Sequence, residues 1–561
     1  MFFVDPSGDD SGPGTAERPF GTLERAREAA GPGDTVVLRG GVHRLDRTLL
    51  LTEADSGVTY RAHGYGTPEQ EEVVISGGRP VTGWRAGPGG TLLADSPGPD
   101  VRRLRIGRRT AERASVPIEG GFTRTGTGYL FDDPAVAEWG DGVEFVYRGV
   151  YPWSEARCPV ARIRRDGGAA AVEMAQPAFE RAARLYRSVG DWDGQGVQEH
   201  NGADSPTTAE NSPAFLTEGT FALAGGVLHY LPLPGERPGE ATAPVLETLL
   251  HVRGARDVSF LGLSFADAAW SRPGSPGGFL HYHGNGHYDG GSLVRVDVFE
   301  GAHVTVPGDQ EAMPGNVLIE DSSRITVEGC GFTRLGAVAV EFRGAGEDNA
   351  VRGCEIDDVS GGGVGVGGGA VRHRVEANRI RRIGREYRGS PAVLVAEGTR
   401  DTVVAQNLVA ETPHAGIVVY EGQGAQVLGN LVHDTMQVLA DGGGIYLSGP
   451  QGSSYADGAL VRGNAVLDTV TPYNFGLYTD YGASWVTVQG NVVHRADAPV
   501  ALEVSPPLEH VAFIGNFWDA DPGPAPGGVL LAENTVLAAD TFGTDPAAAA
   551  VTAAAGPPAG R

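Results

Sequence analysis

VEGCGF (327–332), VRGCEI (351–356), VEANRI (375–380), VAQNLV (404–409), VLGNLV (427–432), VRGNAV (461–466), VQGNVV (488–493) and FIGNFW (513–518) are copies of one six-residue unit, apolar-x-x-Asn/Cys-x-apolar. Their fourth positions are Cys330, Cys354, Asn378, Asn407, Asn430, Asn464, Asn491 and Asn516. These fall 24, 24, 29, 23, 34, 27 and 25 residues apart. The shorter intervals match one turn of a parallel β-helix, a coil of short strands stacked rung on rung, and the longer ones must carry loops. Each unit reads as a strand ending in a turn. Stacked Asn side chains at such a turn can bond one another and the backbone.

A coil needs caps, because its end rungs otherwise expose apolar interior and unpaired edges. PFGTLERAREAA (19–30) reads as a short helix with Thr22 as N-cap. Gly31-Pro32-Gly33-Asp34 stops it and Thr35-Val36-Val37-Leu38 begins a strand. Between about 82 and 248 the unit disappears, and strand-like pieces such as Val143-Glu144-Phe145-Val146-Tyr147 alternate with Gly/Pro turns. The unit returns weakly at FLGLSF (260–265), before a Gly- and His-rich excursion over 266–314. The predicted organisation is therefore a cap with first rungs (1–81), an inserted β-rich, sandwich-like domain (82–248), a coil with a groove (249–530) and a tail (531–561). From Asp545 the tail is Ala, Gly and Pro without pattern, and reads as disordered.

The 561 residues include 86 Gly and 37 Pro without a collagen period, which implies many turns. A net charge of −26 makes nucleic acid and anionic membranes poor partners. No Lys occurs, so no Lys base or Schiff base is available. Cys158, Cys330 and Cys354 form no CxxC and read as free buried thiols. No apolar run reaches membrane-spanning length. Met1-Phe2-Phe3-Val4-Asp5-Pro6 lacks signal-peptide regions, which reads as cytoplasmic. His281, His283 and His287 with Asp289 have metal-ligand types, but their Gly-rich setting offers no rigid support. No metal and no cofactor are expected, and the chain is expected to be a monomer.

FFVDPSGDDSGPGTAERPFGTLERAREA and GDTVVLRGGVHRL look like the start of bacterial β-helix carbohydrate-active enzymes. VVISGGRPVTGW, APVLETLLHVRG, REYRGSPAVLV, ADGGGIYLSGPQG and GLYTDYGAS resemble the glycoside hydrolase 141-like group of right-handed parallel β-helix proteins. The resemblance runs with gaps from Phe2 to about Trp518. It implies a right-handed, all-β coil with an inserted β-domain, and activity on a glycan. It also implies export, which the N-terminus does not signal. Related sequences often read Asp-Glu-Gly where this one has Asp480-Tyr481-Gly482.

The strands after the loop-prone turns align as AVAVEFR (337–343), AGIVVYE (415–421), GGIYLSG (443–449), FGLYTDY (475–481) and PVALEVS (499–505). With Val340, Val419, Leu447, Thr479 and Leu502 inward, the outward column is Glu341, Tyr420, Ser448, Asp480 and Glu503. One step earlier it holds Val418, Tyr446 and Tyr478. Glycoside cleavage needs two carboxyl groups. Asp441, just before a predicted Gly442-Gly443-Gly444 turn, and Asp480 on the next rung are the first pair. Glu503 is the rival partner. Asp480 is expected as nucleophile or base and Asp441 as acid. Substrate contacts are expected from Tyr387, Arg388, Tyr420, Tyr446, Tyr478, Trp485, Trp270 and Glu341, with the loop carrying Trp270 beside the groove. Two alternatives use the same scaffold. A polysaccharide lyase or uronate epimerase would need a cationic group at its enolate. A non-catalytic carbohydrate-binding coil would need only the aromatics.

Overall fold

The computed structural model describes residues 1–186, 206–236, 239–299, 302–538 and 542–558. Part of the predicted insert, 187–205, and the end of the tail, 559–561, lie outside the described residues. The chain forms two compact units, one of Met1–Ser76, Thr248–Ala266 and Pro314–Arg561, the other of Gly77–Glu247 and Asp267–Met313.

The first unit is the coil, and its paired strands run parallel. The opening valines of the repeated unit stack in register, Val327 on Val351, Val375, Val404, Val427, Val461 and Val488. All are buried. Each such side chain removed from water stabilises the coil by roughly 1.5–3 kcal/mol. The turn that follows holds the ladder. Asn378 donates through Nδ2 to Oδ1 of Asn407 at 2.9 Å and to the Val351 carbonyl at 3.0 Å. The pattern repeats through Asn407, Asn430, Asn464, Asn491 and Asn516. It ends at Asn534, one rung beyond the eight units. Cys354 and Cys330 continue it upward as buried free thiols, the Cys330 N–H meeting Cys354 Sγ at 3.4 Å. A second, shorter ladder joins Asn349 Nδ2 to His373 Nε2 at 2.8 Å.

The N-terminal helix, Leu23–Ala29, is capped by Thr22, whose hydroxyl accepts from the Arg25 N–H at 3.2 Å. The tail departs from its reading as disordered. Pro546–Ala554 is a helix capped by Asp545. Its Ala548 packs with Phe542 on Ala465 and Val492 of the coil, and partly buried Val551 joins them. Alanine supplies helix propensity, and the apolar coil face supplies the packing that an isolated short helix lacks.

The second unit is mostly antiparallel. One sheet orders Gly78–Val81, Ala241–Pro244, Leu104–Ile106, Arg109–Arg113, Thr220–Ala224, Val227–Tyr230 and Leu92–Asp95. Another is built on Glu144–Arg148, Glu155–Asp166 and Ala169–Met174, with Tyr129, Phe145 and Phe179 in its core. Phe279–Leu280 pairs with Glu155–Asp166. The excursion after FLGLSF therefore belongs to this unit rather than to the coil. Its aromatics find their apolar partners there.

Candidate active site

Ile417–Tyr420, Gly442–Pro450 and Asn474–Gln489 lie on successive rungs. Register stacks Val418 on Tyr446 on Tyr478, and Tyr420 on Ser448 on Asp480. Ile417, Val419, Ile445, Leu447, Leu477 and Thr479 fill the interior. Alternation along the strands therefore turns both columns outward. Outward here does not mean open. Tyr446 and Tyr478 are each only 5% exposed, packed with Val418, Met436 and Ala501. Their rings meet edge to face at 5.1 Å, and Phe475 lies 4.3 Å from Tyr478.

The predicted turn at Gly442-Gly443-Gly444 is instead extended strand. A Cβ on Gly444 would lie 2.3 Å from Val466 Cγ1, and one on Gly443 would lie 3.0 Å from Tyr478 Cβ. These glycines admit close packing, not a reversal. The reversal is Asp441 itself, at φ +56°, a left-handed conformation that Asp tolerates better than most residues. Its N–H donates to the Tyr473 carbonyl at 3.0 Å. Just before it, the Ala440 carbonyl stands 3.2 Å from His414 Nε2.

Two phenols hold the two acids. The Tyr446 hydroxyl donates to Asp480 Oδ2 at 2.7 Å, and the Tyr478 hydroxyl to Asp441 Oδ1 at 2.9 Å. The pairing crosses the rungs, since each phenol serves the acid of the neighbouring strand. Withdrawal from water, then the Asp480 charge, push the Asp441 carboxyl up to about 7, against the hydrogen bond from Tyr478. Burial also raises Asp480, opposed by Tyr446, the Tyr481 N–H and Tyr478. Among the described residues no guanidinium acts on either acid. The arrangement can keep a proton near neutrality and exchange it.

The remaining predicted positions divide. Tyr420 lies 6.0 Å from Tyr446 and joins the cluster. Glu503 is exposed, and strand pairing on its rung stops at Val500, short of the acids. Glu341 is displaced from its expected column. It stacks through Gly365 and Leu394 onto Val418, Tyr446 and Tyr478, not onto Asp480. Its carboxylate is taken by Arg343 at 2.9 and 3.0 Å and by the Gly315 N–H at 2.7 Å. Tyr387 is buried, so its ring offers no open face, and its hydroxyl reaches Glu386 at 3.4 Å. Arg388 follows it, half-buried. Trp485 stands past the Tyr481 corner, stacked on His510 at 3.9 Å. Trp270 is buried in the second unit against Phe279 and His287. Tyr446 and Tyr478, expected as substrate contacts, present their hydroxyls to the two acids. Tyr473 was missed because the aligned row began at Phe475. Its phenol is raised by burial and by both acids.

Among the described residues no group of three His, Cys, Asp or Glu is placed to hold a metal. His281 Nε2 meets the Gly284 carbonyl at 3.0 Å, and Asp289 is held by Arg181 and Arg272 at 2.5 Å each. Nor is any helix among them long and apolar enough to cross a membrane.

Residues 311–466 match the family described as right handed beta helix region. A 76-residue segment is 38% identical to the uncharacterized protein YwoF of Bacillus subtilis (strain 168), covering 13% of this chain and 15% of that protein. The match thus spans a small part of that curated relative. Among solved structures, one described as a glycoside hydrolase aligns with 100% of this chain and 99% of its own at a TM-score of 0.77 and 22% identity. That likeness is one of fold. A complex of XylC with xylose covers 95% of this chain and 86% of its own at 13% identity, with a TM-score of 0.49. The chain is a right-handed parallel β-helix protein.

Proposed function

We propose that this chain, which resembles the glycoside hydrolase 141-like group, is a glycoside hydrolase, and that it works through Asp441 and Asp480. The observation that carries the reading is a pair of carboxyls on adjacent rungs, both raised by burial and served by phenols rather than guanidinium groups. The solved glycoside hydrolase of the same fold supports it.

Asp441 holds its proton near neutrality and donates it to the glycosidic oxygen as the bond breaks. Asp480, the anion with three donors, attacks the anomeric carbon. Water then releases the sugar, with Asp441 now acting as base. Tyr478 serves both acids, which favours the short carboxyl separation of about 5 Å that accompanies retention of configuration. A lyase or epimerase would need a cation where an enolate forms, and the acids have phenol partners instead.

The test is a screen of aryl glycosides and glycans for released reducing ends, followed by Asp441→Asn and Asp480→Asn. Loss of turnover in both supports the reading. Full turnover in both rejects the site. Binding without turnover in the wild type favours the carbohydrate-binding alternative, and an unsaturated product the lyase.

A further inference from the structure

We infer that Tyr446 and Tyr478 are positioning residues that divide labour between the two acids, Tyr446 holding Asp480 ready to attack and Tyr478 holding Asp441 ready to donate. The inference rests on the reading of Asp441 and Asp480 as the catalytic pair. A Tyr on a coil face ordinarily stacks on its neighbour, and stacking alone needs no hydroxyl. Here both hydroxyls are spent on carboxylates, at 2.7 and 2.9 Å, in a crossed pattern that ring packing does not require.

The crossing has a chemical consequence. Two like carboxyls this close titrate as one coupled pair, and nothing in their identity says which ionises first. The donors break that symmetry. Asp480 receives Tyr446, the Tyr481 N–H and a share of Tyr478. Among the described residues Asp441 receives Tyr478 alone, and it faces the charge of Asp480. The other groups around the pair do not reverse this. Tyr420 lies against Tyr446, and Tyr473 lies near both acids with its backbone N–H on Asp497 at 2.7 Å. His414 Nε2 faces the Ala440 carbonyl. The phenols thereby make the paired acids unequal, one an anion and the other a proton donor at the same pH.

Tyr446→Phe and Tyr478→Phe keep both rings and remove one donor each. Carbon-13 titration of labelled aspartate carboxyls, assigned through Asp441→Asn and Asp480→Asn, reads the effect without any substrate. Tyr446→Phe is expected to move the Asp480 titration upward more than that of Asp441, and Tyr478→Phe to move Asp441 more than Asp480. On the glycan that the wild type cleaves, Tyr446→Phe raises the acidic limb of the pH–rate profile and narrows the optimum. Tyr478→Phe raises the alkaline limb and widens it. Equal movement of both carboxyls in both variants, or limbs that stay in place while only the height falls, overturns the inference. If a phenylalanine variant does not fold, a fluorotyrosine at the same position strengthens the donor and must move the same carboxyl downward. Crossed titrations together with full turnover in both Asp→Asn variants would leave the donor pattern standing and defeat the glycosidase reading alone.

Discussion

Glu144, in the second unit, and Asp441, in the coil, are both carboxyls drawn out of water, and they reach opposite charge states. Burial raises both. Around Glu144 the Arg102 guanidinium at 2.7 and 3.0 Å and the Arg113 guanidinium at 3.1 Å outweigh it and hold the carboxyl far below its usual range. Around Asp441 a neutral phenol is set against a second carboxyl, and burial prevails. The formal charge of the neighbours, not the depth, separates a fixed structural ion from a proton that can be exchanged.

The largest effect expected from breaking that contrast is on turnover. Asp441→Asn and Asp480→Asn should each lower kcat by about 10²- to 10⁴-fold without lowering the melting temperature, measured by initial rates and calorimetry. Arg102→Met should do the reverse. Leaving Glu144 buried with half its partners should cost about 3–5 kcal/mol in urea denaturation, because an uncompensated charge is expensive and repacking is incomplete. Asn430→Ala, which orphans groups on Asn407 and at the Val404 carbonyl, should cost about 1–3 kcal/mol by the same measurement. The smallest effect is a slope. Asp441 keeps a proton in the folded state between its ordinary 3.8 and about 7, so its contribution to stability falls as pH rises through that window. Glu144 is depressed below its ordinary 4.5, so its contribution is complete above that value and is lost as pH falls. Denaturation midpoints against pH should therefore lose, in Asp441→Asn, their decline between pH 3.8 and about 7. An unchanged slope in that variant would break the comparison.

The coil was legible because its signal is redundant. Each Asn must face the next at hydrogen-bonding distance, so the spacing is enforced at every rung. Asn534 fits the same unit in LAENTV (531–536), but the two residues flanking it are exposed and the apolar pattern is weak there. The outward face of Asp480 was legible because alternation assigns faces without knowledge of depth, whereas Asp441 was marked only by its place before the Gly442-Gly443-Gly444 run. Depth is what the alternation could not supply. Tyr446 and Tyr478 pointed outward as expected, yet were covered by Met436 and Ala501 from flanking turns of irregular length. Glu341 went astray for a related reason. Its rung is followed by one rich in glycine, where no side chain marks the register, and the aligned rows slipped by two residues. Trp270 and Tyr387 suit a sugar contact by residue type alone, and residue type does not distinguish such a contact from a core aromatic.

Asn407 and Asn430 bond as neighbours across 23 intervening steps of chain, Asn430 and Asn464 across 34, and both contacts measure 2.9 Å. The ladder is thus indifferent to slack. Surplus chain between two of its teeth escapes sideways without disturbing what comes above or below. The longest such surplus lies between Asn430 and Asn464, and Asp441 rides on it, at the end of the lengthened turn before the strand Gly442–Pro450. Asp441, the proposed proton donor, belongs to that excursion and not to the repeat. A lineage of such coils can therefore acquire, shift or shed a reactive group by lengthening one turn, and every rung already built keeps its place.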